Sequence, residues 1–292
     1  MRHNPAVRHL LVLCLFLLAA SVAAQPAAEL REKFAARLAT IAAGVDGVVG
    51  YEIVDLTSNE RVSHLERETF PTASAIKLAI VYELYKQASE GRIKLDEMLV
   101  LDRSKTVRGS GVLIHMGTPT LSLRDYATLM VTLSDNTATN VLIDRLGMAE
   151  ISKRMQKLGL PGTQLRRHMM DGAAARRGDE NVSTPSELIA LLKSLQSMPE
   201  AMMLLKLPKE NRLRRGLPTG VESADKSGEL DGVRVDAGIV FLKNRPYAFS
   251  VMTTYLRNED EGERAITEMS RAAYEYFERL ATSGVAGRRI GN

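Results

Sequence analysis

Cysteine is nearly absent from this sequence. Cys14 is the only cysteine in 292 residues, and it lies in an apolar segment close to the N-terminus. A chain with one cysteine forms no internal disulfide and no thiolate metal site. The histidine, aspartate and glutamate residues show no metal-ligand spacing, and the sequence has no glycine-rich phosphate loop. We therefore expect neither a metal nor a cofactor.

Aromatic residues and surplus charge are also scarce. Tryptophan is absent and aromatic residues make up 5% of the chain, too few for the stacking surface that binds single-stranded nucleic acid. The formal net charge is only +4, which gives no electrostatic reason to expect binding to a nucleic-acid backbone. Both observations argue against a nucleic-acid partner. The content of 45% hydrophobic and 25% charged residues is typical of a globular protein with a substantial core.

The first 24 residues are predicted to be a cleavable signal peptide. The basic residues Arg2 and Arg8 precede an apolar run at 10–20, and small residues at 22–24 offer a cleavage site. The apolar run is too short to span a membrane as a stable helix; an uncleaved anchor is the alternative. We expect a monomeric periplasmic or secreted protein with no stable membrane anchor.

The hydrophobic pattern places strands at both ends of the mature sequence and helices between them. Strand-like segments lie at 48–55, 61–65, 222–227, 233–242 and 247–256. Amphipathic helices are predicted at 26–43 and 263–281. The pattern predicts an α+β fold with a five-stranded antiparallel sheet, flanked by the N- and C-terminal helices and interrupted by an all-α lobe. The predicted boundaries are 1–24 for the signal peptide, 25–70 and 216–283 for the α/β lobe, 71–215 for the all-α lobe and 284–292 for a disordered tail. We expect a site in the cleft between the lobes.

Ser74 and Lys77 stand at the start of a predicted buried helix, with Thr72 as its expected N-cap. On a helix, residues three apart share a face, so the hydroxyl and the amine are expected to be neighbours. A neutral lysine can accept the serine proton, and the helix N-terminus can stabilise an oxyanion. Alone, one S-x-x-K pattern in a chain of this length is about what composition predicts.

Two further motifs make coincidence a poor explanation. Ser134-Asp135-Asn136 falls where one predicted helix ends and the next begins, and Lys226-Ser227-Gly228 falls on a predicted strand. Each tripeptide is expected by chance roughly 0.05 times in a chain this long. In this order and setting, the three motifs resemble those of the serine penicillin-recognising enzymes, specifically the class A β-lactamases.

The resemblance implies a catalytic role for four residues. Ser74 is expected to be the acylated nucleophile and Lys77 its proton partner. Ser134 is expected to pass a proton to the leaving β-lactam nitrogen, and Lys226 to hold Ser134 and attract the substrate carboxylate. Two lysines in one cleft are also expected to lower each other's pKa, which favours a neutral Lys77.

The resemblance also implies a set of substrate-binding groups. Asn136 is expected to hydrogen-bond the substrate amide, and Ser227, beside Gly228, to bind the carboxylate. The backbone N–H groups of Ser74 and Glu229 would form the oxyanion hole. Arg212 is a candidate for a further carboxylate contact, with Arg214 and Arg215 as alternatives. The implied substrate is a small β-lactam or a peptidoglycan-like molecule.

One part of the family's pattern is missing. Class A enzymes carry E-x-x-L-N in a long loop, and that glutamate activates the deacylating water, but here the glutamate position falls on Met169 or Met170. His168, Asp171 and Glu180 are nearby and do not fit the motif. Two functions therefore stay open: a β-lactamase, or a penicillin-binding, D-Ala-peptidase-like or esterase-like hydrolase that deacylates slowly. A non-catalytic cell-wall binding module is disfavoured, because a binder has no need of two lysines in its cleft.

The end of the same loop matches the family better. Gly178-Asp179 and Thr184-Pro185 correspond to the way this loop ends in class A enzymes. Arg167 falls where the family has an arginine paired with that aspartate. We therefore expect a salt bridge between Arg167 and Asp179 that closes the loop.

Overall fold

The computed structural model describes residues 26–284 and 287–290. The predicted signal peptide, residues 1–24, lies outside the described residues. The helices are α1 (26–43), α2 (Lys77–Ser89), α3 (Leu123–Thr132), α4 (Asn136–Leu146), α5 (Met148–Lys157), α6 (Gly172–Arg176), α7 (Pro185–Leu195), α8 (Pro199–Lys206), α9 (Arg212–Arg215) and α10 (Glu259–Ala281). The strands are β1 (Val48–Asp55), β2 (Arg61–His64), β3 (Phe70–Pro71), β4 (Met98–Val100), β5 (Thr120–Ser122), β6 (Val182–Ser183), β7 (Ser223–Leu230), β8 (Val233–Val240) and β9 (Tyr247–Thr254).

Five strands form one antiparallel sheet in the order β2-β1-β9-β8-β7. The predicted fold class, an α+β fold with a five-stranded antiparallel sheet, is confirmed. Strand β7 continues to Leu230, further than predicted, so the whole Lys226-Ser227-Gly228 motif lies within it. Because β7 is an edge strand, one side of its backbone faces away from the sheet.

The outer face of the sheet packs against the two terminal helices, α1 and α10, as predicted. Aromatic rings dominate this layer: Phe34 stacks on Tyr276 with ring centroids 4.3 Å apart, and Tyr247 stacks on Phe277 at 4.4 Å. Helix α10 begins four residues earlier than predicted, since the side chain of Asn258 caps it.

The inner face of the sheet packs against the helical part of the chain. Helix α7 lies between this face and α2. Ten of the thirteen residues of α2 are buried, as expected for a helix surrounded by other elements on all sides. The catalytic candidates Ser74 and Lys77 therefore stand at the start of a helix that is enclosed along almost its whole length.

Some elements were not predicted from the sequence. Two small two-stranded sheets, β3–β6 and β4–β5, are among them: β3 lies across the predicted boundary at residue 71, and the other three strands lie in the part predicted to be helical. Helix α8 is also additional, and it buries Met202 while Met203 stays exposed. In the tail, which the sequence predicts to be disordered, Ile290 donates a backbone hydrogen bond to Thr282 and Gly284 donates one to Arg288.

Within the described residues, no single helix is long and apolar enough to cross a membrane. Helices α7 and α8 together are long and apolar enough, but the chain bends by 118° between them. The leucines of α7 are buried in the protein core.

Candidate active site

Ser74 lies on a short 3-10 turn, Ala73–Ile76, that leads into α2. Thr72 occupies the N-cap position of this turn, as predicted, but its side chain makes no capping hydrogen bond. Its hydroxyl donates instead to the backbone oxygen of Asn181, at 3.0 Å, and its N–H donates to the same oxygen at 2.9 Å. Ala73 has a φ of +46°, a left-handed conformation that is costly for a residue with a side chain. The candidate nucleophile thus follows a strained residue and is tied to the loop that contains Asn181.

Ser134 is the point at which the three motifs meet. It connects α3 and α4 with a φ of +53°, and its hydroxyl donates to Oγ of Ser74 at 3.0 Å. Lys77 Nζ donates to the Ser134 hydroxyl at 2.9 Å and to its backbone oxygen at 2.7 Å. Lys226 Nζ approaches the same hydroxyl at 3.2 Å. The hydrogen-bonded path from Lys77 to Ser74 therefore runs through Ser134.

The two lysines are held in conditions that disfavour their charged forms. Burial lowers the pKa of Lys77 well below its usual range; the charge of Lys226 lowers it further and Asp135 opposes the change. Burial also lowers the pKa of Lys226 to about 8; the charge of Lys209 lowers it further, and Asp236 and Asp225 oppose the change. The expected influence of Lys226 on Lys77 is present, while the lysine that acts on Lys226 is one that sequence reasoning missed.

Gly228 allows β7 to run directly against the Ser74 turn. A Cβ atom at this position would lie 2.6 Å from the backbone oxygen of Thr72, 2.7 Å from the amide nitrogen of Ser74 and 2.9 Å from that of Ala75. No side chain fits in this space, so the close approach requires glycine. The approach places the Ser74 amide beside the edge strand that continues into Glu229.

Asn136 is fixed at the first position of α4. Its Oδ1 accepts a hydrogen bond from Lys77 at 3.3 Å, and its Nδ2 donates to the backbone oxygen of Arg108 at 3.3 Å. The amide thus connects the catalytic lysine candidate with the loop that contains Arg108. Both contacts are at the long end of the hydrogen-bond range.

These residues line one cleft of about 1190 Å³. Of the predicted site residues, only Lys77 is absent from its lining, because this side chain is fully buried beneath Ser134. Ser227, Gly228 and Glu229 form part of one wall, and Met169 and Met170 form part of another. The structure therefore brings the predicted site residues to one place.

Arg212 is the arginine that reaches the wall formed by β7. Its Nη2 donates to the backbone oxygen of Gly228 at 3.1 Å, and its Nε donates to Oδ1 of Asp236 at 2.9 Å. Arg214 turns away and pairs with Asp225 at 2.8 Å. Arg215 is exposed. Of the three candidates from the sequence, Arg212 alone contacts the third motif in the described structure.

A salt bridge closes the neck of the long loop (166–182). Arg167 Nη2 donates to Glu180 Oε1 at 2.8 Å and to Oε2 at 3.0 Å. The predicted pairing of Arg167 with Asp179 is wrong, because Asp179 lies on the surface beside Arg177, at 3.3 Å. Gly178 has a φ of +87°. The chain turns there, so that Glu180, and not Asp179, faces Arg167.

Comparisons with known proteins agree with this geometry. Residues 33–277 match the sequence pattern of the beta-lactamase enzyme family. The chain belongs to this family. Among characterised proteins it is 28% identical over 252 residues to an imipenem-hydrolyzing β-lactamase of Enterobacter cloacae, covering 79% of this chain and 85% of that protein. It is also 28% identical over 254 residues to a β-lactamase of Bacillus subtilis, covering 82% and 78%.

Solved structures give the same result for the fold. A β-lactamase from Sphaerobacter thermophilus superposes with a TM-score of 0.76 at 29% identity, covering 84% of this chain and 97% of that one. PBP-A superposes with a TM-score of 0.78 at 28% identity, covering 85% and 97%. The predicted resemblance is confirmed, and the chain is a β-lactamase-like serine hydrolase.

The long loop of this β-lactamase family member presents two methionines to the cleft, in different settings. The backbone N–H of Met169 donates to Oδ1 of Asn140 at 2.8 Å, and Nδ2 of Asn140 donates to the backbone oxygen of Met169 at 3.1 Å. Met169 is buried, whereas Met170 is 54% exposed and has a φ of +64°. Spacing alone points to Asn140, which lies four residues after Asn136 and therefore on the same face of α4.

Asp135, the middle residue of the second motif, has a structural task that sequence reasoning also missed. Its buried carboxylate accepts three backbone hydrogen bonds, from Val112 at 2.7 Å, Leu113 at 2.9 Å and Ala138 at 2.8 Å. The bond from Ala138 caps α4, and the other two fix the neighbouring loop. These three bonds fix Asp135, and with it the positions of its chain neighbours Ser134 and Asn136.

Proposed function

We propose that this chain is exported and hydrolyses the β-lactam amide through an acyl-enzyme at Ser74. The observation that carries the proposal is the meeting of Ser74, Lys77 and Lys226 at the hydroxyl of Ser134. Acyl transfer needs a nucleophile, a base, an acid for the leaving group and donors for the oxyanion. Side chains placed at one hydroxyl supply the first three of these.

In acylation, a bond forms between Ser74 Oγ and the carbonyl carbon of the β-lactam, and the C–N bond of the β-lactam amide breaks. Ser74 Oγ attacks the β-lactam carbonyl carbon and loses its proton to neutral Lys77, through the Ser134 hydroxyl. The C–N bond then breaks, and Ser134 donates a proton to the departing nitrogen while it recovers one from Lys77. The lowered pKa of Lys77 makes the neutral amine accessible.

The remaining residues bind and orient the substrate. The backbone N–H groups of Ser74 and Glu229 donate hydrogen bonds to the developing oxyanion. They are close to each other because Gly228 allows β7 to run directly against the Ser74 turn. Asn136 holds the amide of the substrate side chain. Lys226 and Ser227 bind the carboxylate, with Arg212 behind them.

A second function is supported by the long loop. Met169 is buried in the wall of the cleft and has no acid or base function. A chain with this residue in place of the family's glutamate would be acylated by β-lactams and would release the acyl group slowly. Such a protein would act as a penicillin-binding, D-Ala-peptidase-like or esterase-like hydrolase.

Intact-protein mass spectrometry during reaction with benzylpenicillin, alongside a turnover assay with a chromogenic cephalosporin, separates the two functions. Rapid turnover without an accumulated adduct is the result expected of a β-lactamase. A persistent stoichiometric adduct on Ser74 supports the second function. Absence of both adduct and turnover contradicts acylation at Ser74 by β-lactams.

A further inference from the structure

The guanidinium group of Arg212 has little capacity left for a substrate carboxylate. Its Nε donates to Asp236 and its Nη2 donates to the backbone oxygen of Gly228. Only Nη1 is directed elsewhere, and two carboxylates share it: Glu229 at 3.4 Å and Glu263 at 3.6 Å. Each of the three guanidinium nitrogens of Arg212 therefore already faces an acceptor of this chain.

The two carboxylates at Nη1 differ in their other contacts. Glu263 lies on α10 and is also paired with Arg215 at 3.4 Å and with Arg234 at 3.2 Å. Glu229 is 63% exposed, and its ion pair within the described ranges is the one with Arg212. Glu263 is thus held by three arginines, whereas Glu229 is the partner that a competing anion can displace.

Glu229 also stands beside the proposed carboxylate site. Residues two apart on a strand point to the same side of the sheet, so the side chains of Ser227 and Glu229 share one face of β7. Both residues line the cleft. A substrate carboxylate bound at the Ser227 hydroxyl would therefore approach a negative charge on the next residue of that face.

We propose that Glu229 determines substrate specificity. Its carboxylate occupies Nη1 of Arg212, the donor that a substrate carboxylate would otherwise use. The cleft then favours an acyl donor that is uncharged or cationic at this end over one with a free carboxylate. An anionic β-lactam must displace Glu229 before it gains the contact with Arg212. The inference rests on the proposed acylation of Ser74, and it identifies a residue that selects the substrate.

The test compares two substrates that differ only in this charge: benzylpenicillin and its methyl ester. Acylation rates are measured by intact-protein mass spectrometry over a range of concentrations, for the wild type and for Glu229→Gln. The substitution removes the charge and keeps both the size and the backbone N–H. We expect the ratio of acid to ester reactivity to rise about fivefold, the scale of an exposed ion pair. The gain should appear at low substrate concentration and shrink at high salt.

Two further variants show whether the change in the ratio comes from the contact between Glu229 and Arg212 or from the overall charge of the cleft. Glu229→Asp keeps the charge, and its ratio should stay closer to the wild type than to Glu229→Gln. Glu210 is also exposed and lines the cleft, without an ion pair to any residue that the structure describes, so Glu210→Gln should leave the ratio within about twofold.

Three results would overturn the inference. An unchanged ratio in Glu229→Gln, with normal acylation of the wild type, would remove Glu229 from substrate selection and leave the proposed function intact. An equal rise in Glu210→Gln would assign the effect to the overall charge of the cleft. Absence of any adduct on the wild type with both substrates would end the proposed function and this inference together.

Discussion

The two walls of the cleft are built in different ways. On one side, Ser74, Ser134 and Lys226 line the cleft and Lys77 is buried behind them; side-chain hydrogen bonds join the four residues, directly or through Ser134. On the other side, the long loop is bonded to itself, to Asn140 on α4 and to Thr72 beside the Ser74 turn, and it turns Met169 and Met170 to the cleft. The first wall holds the nucleophile, the base and the acid that we propose for acylation, and the second presents two thioethers where the family has a base. Family membership therefore predicts acylation more firmly than it predicts the rate of deacylation.

The largest effect is expected at the first wall. Lys77→Met removes the amine and keeps most of its volume in a fully buried position, so the fold should survive. Because the path that accepts the Ser74 proton ends at this amine, acylation by benzylpenicillin should fall by about 10³-fold or more. The rate of adduct formation in intact-protein mass spectrometry measures this.

Lys77→Ala should behave in the same way if it folds. Circular dichroism of both variants distinguishes lost chemistry from lost structure. Unchanged acylation kinetics in a folded Lys77→Met variant would show that Lys77 takes no part in acylation, and the contrast between the two walls would then lose its chemical basis.

A change in the second wall tests the other half of the contrast. Met169→Glu places a carboxylate at the position that Asn140 fixes by two backbone hydrogen bonds. Burial raises the pKa of a carboxylate, which suits a general base near neutral pH. The acyl-enzyme lifetime should shorten by about 10²-fold, the usual scale of general-base catalysis. Decay of the benzylpenicillin adduct after removal of free substrate measures the lifetime.

Met170→Glu is the matched control. Met170 is exposed, and its sulfur lies near Gly109, where a Cβ atom would be 3.1 Å from it. A carboxylate there should change the adduct lifetime by less than about threefold. If Met170→Glu shortens the lifetime and Met169→Glu does not, the base position belongs to Met170, and the assignment made from Asn140 is wrong.

The same contrast explains what the sequence could predict. The first wall is encoded by residue types at fixed short spacings, so Ser74, Ser134 and Lys226 could be named and brought together without coordinates. The sheet followed from alternating apolar residues near both ends of the chain. The long loop has no such periodicity: its geometry depends on Gly178, which turns the chain, and on distant partners such as Asn140. The family pattern therefore predicted the wrong acid for Arg167. The sequence placed Thr72 correctly at the N-cap position, but its side-chain partner, Asn181, is more than a hundred residues away and could not be predicted.

The smallest effect is expected at the neck of the long loop. Arg167 is buried and donates hydrogen bonds to both carboxylate oxygens of Glu180, so Glu180→Gln leaves a buried charge with a weaker partner. We expect a loss of about 1–3 kcal/mol in the free energy of unfolding, measured by urea denaturation. Asp179→Asn changes an exposed pair and should cost less than about 0.5 kcal/mol. A larger loss in Asp179→Asn than in Glu180→Gln would restore the pairing that the sequence suggested. Equal small losses would mean that the Asn181 bonds and the β3–β6 pairing, rather than either salt bridge, hold this wall in place.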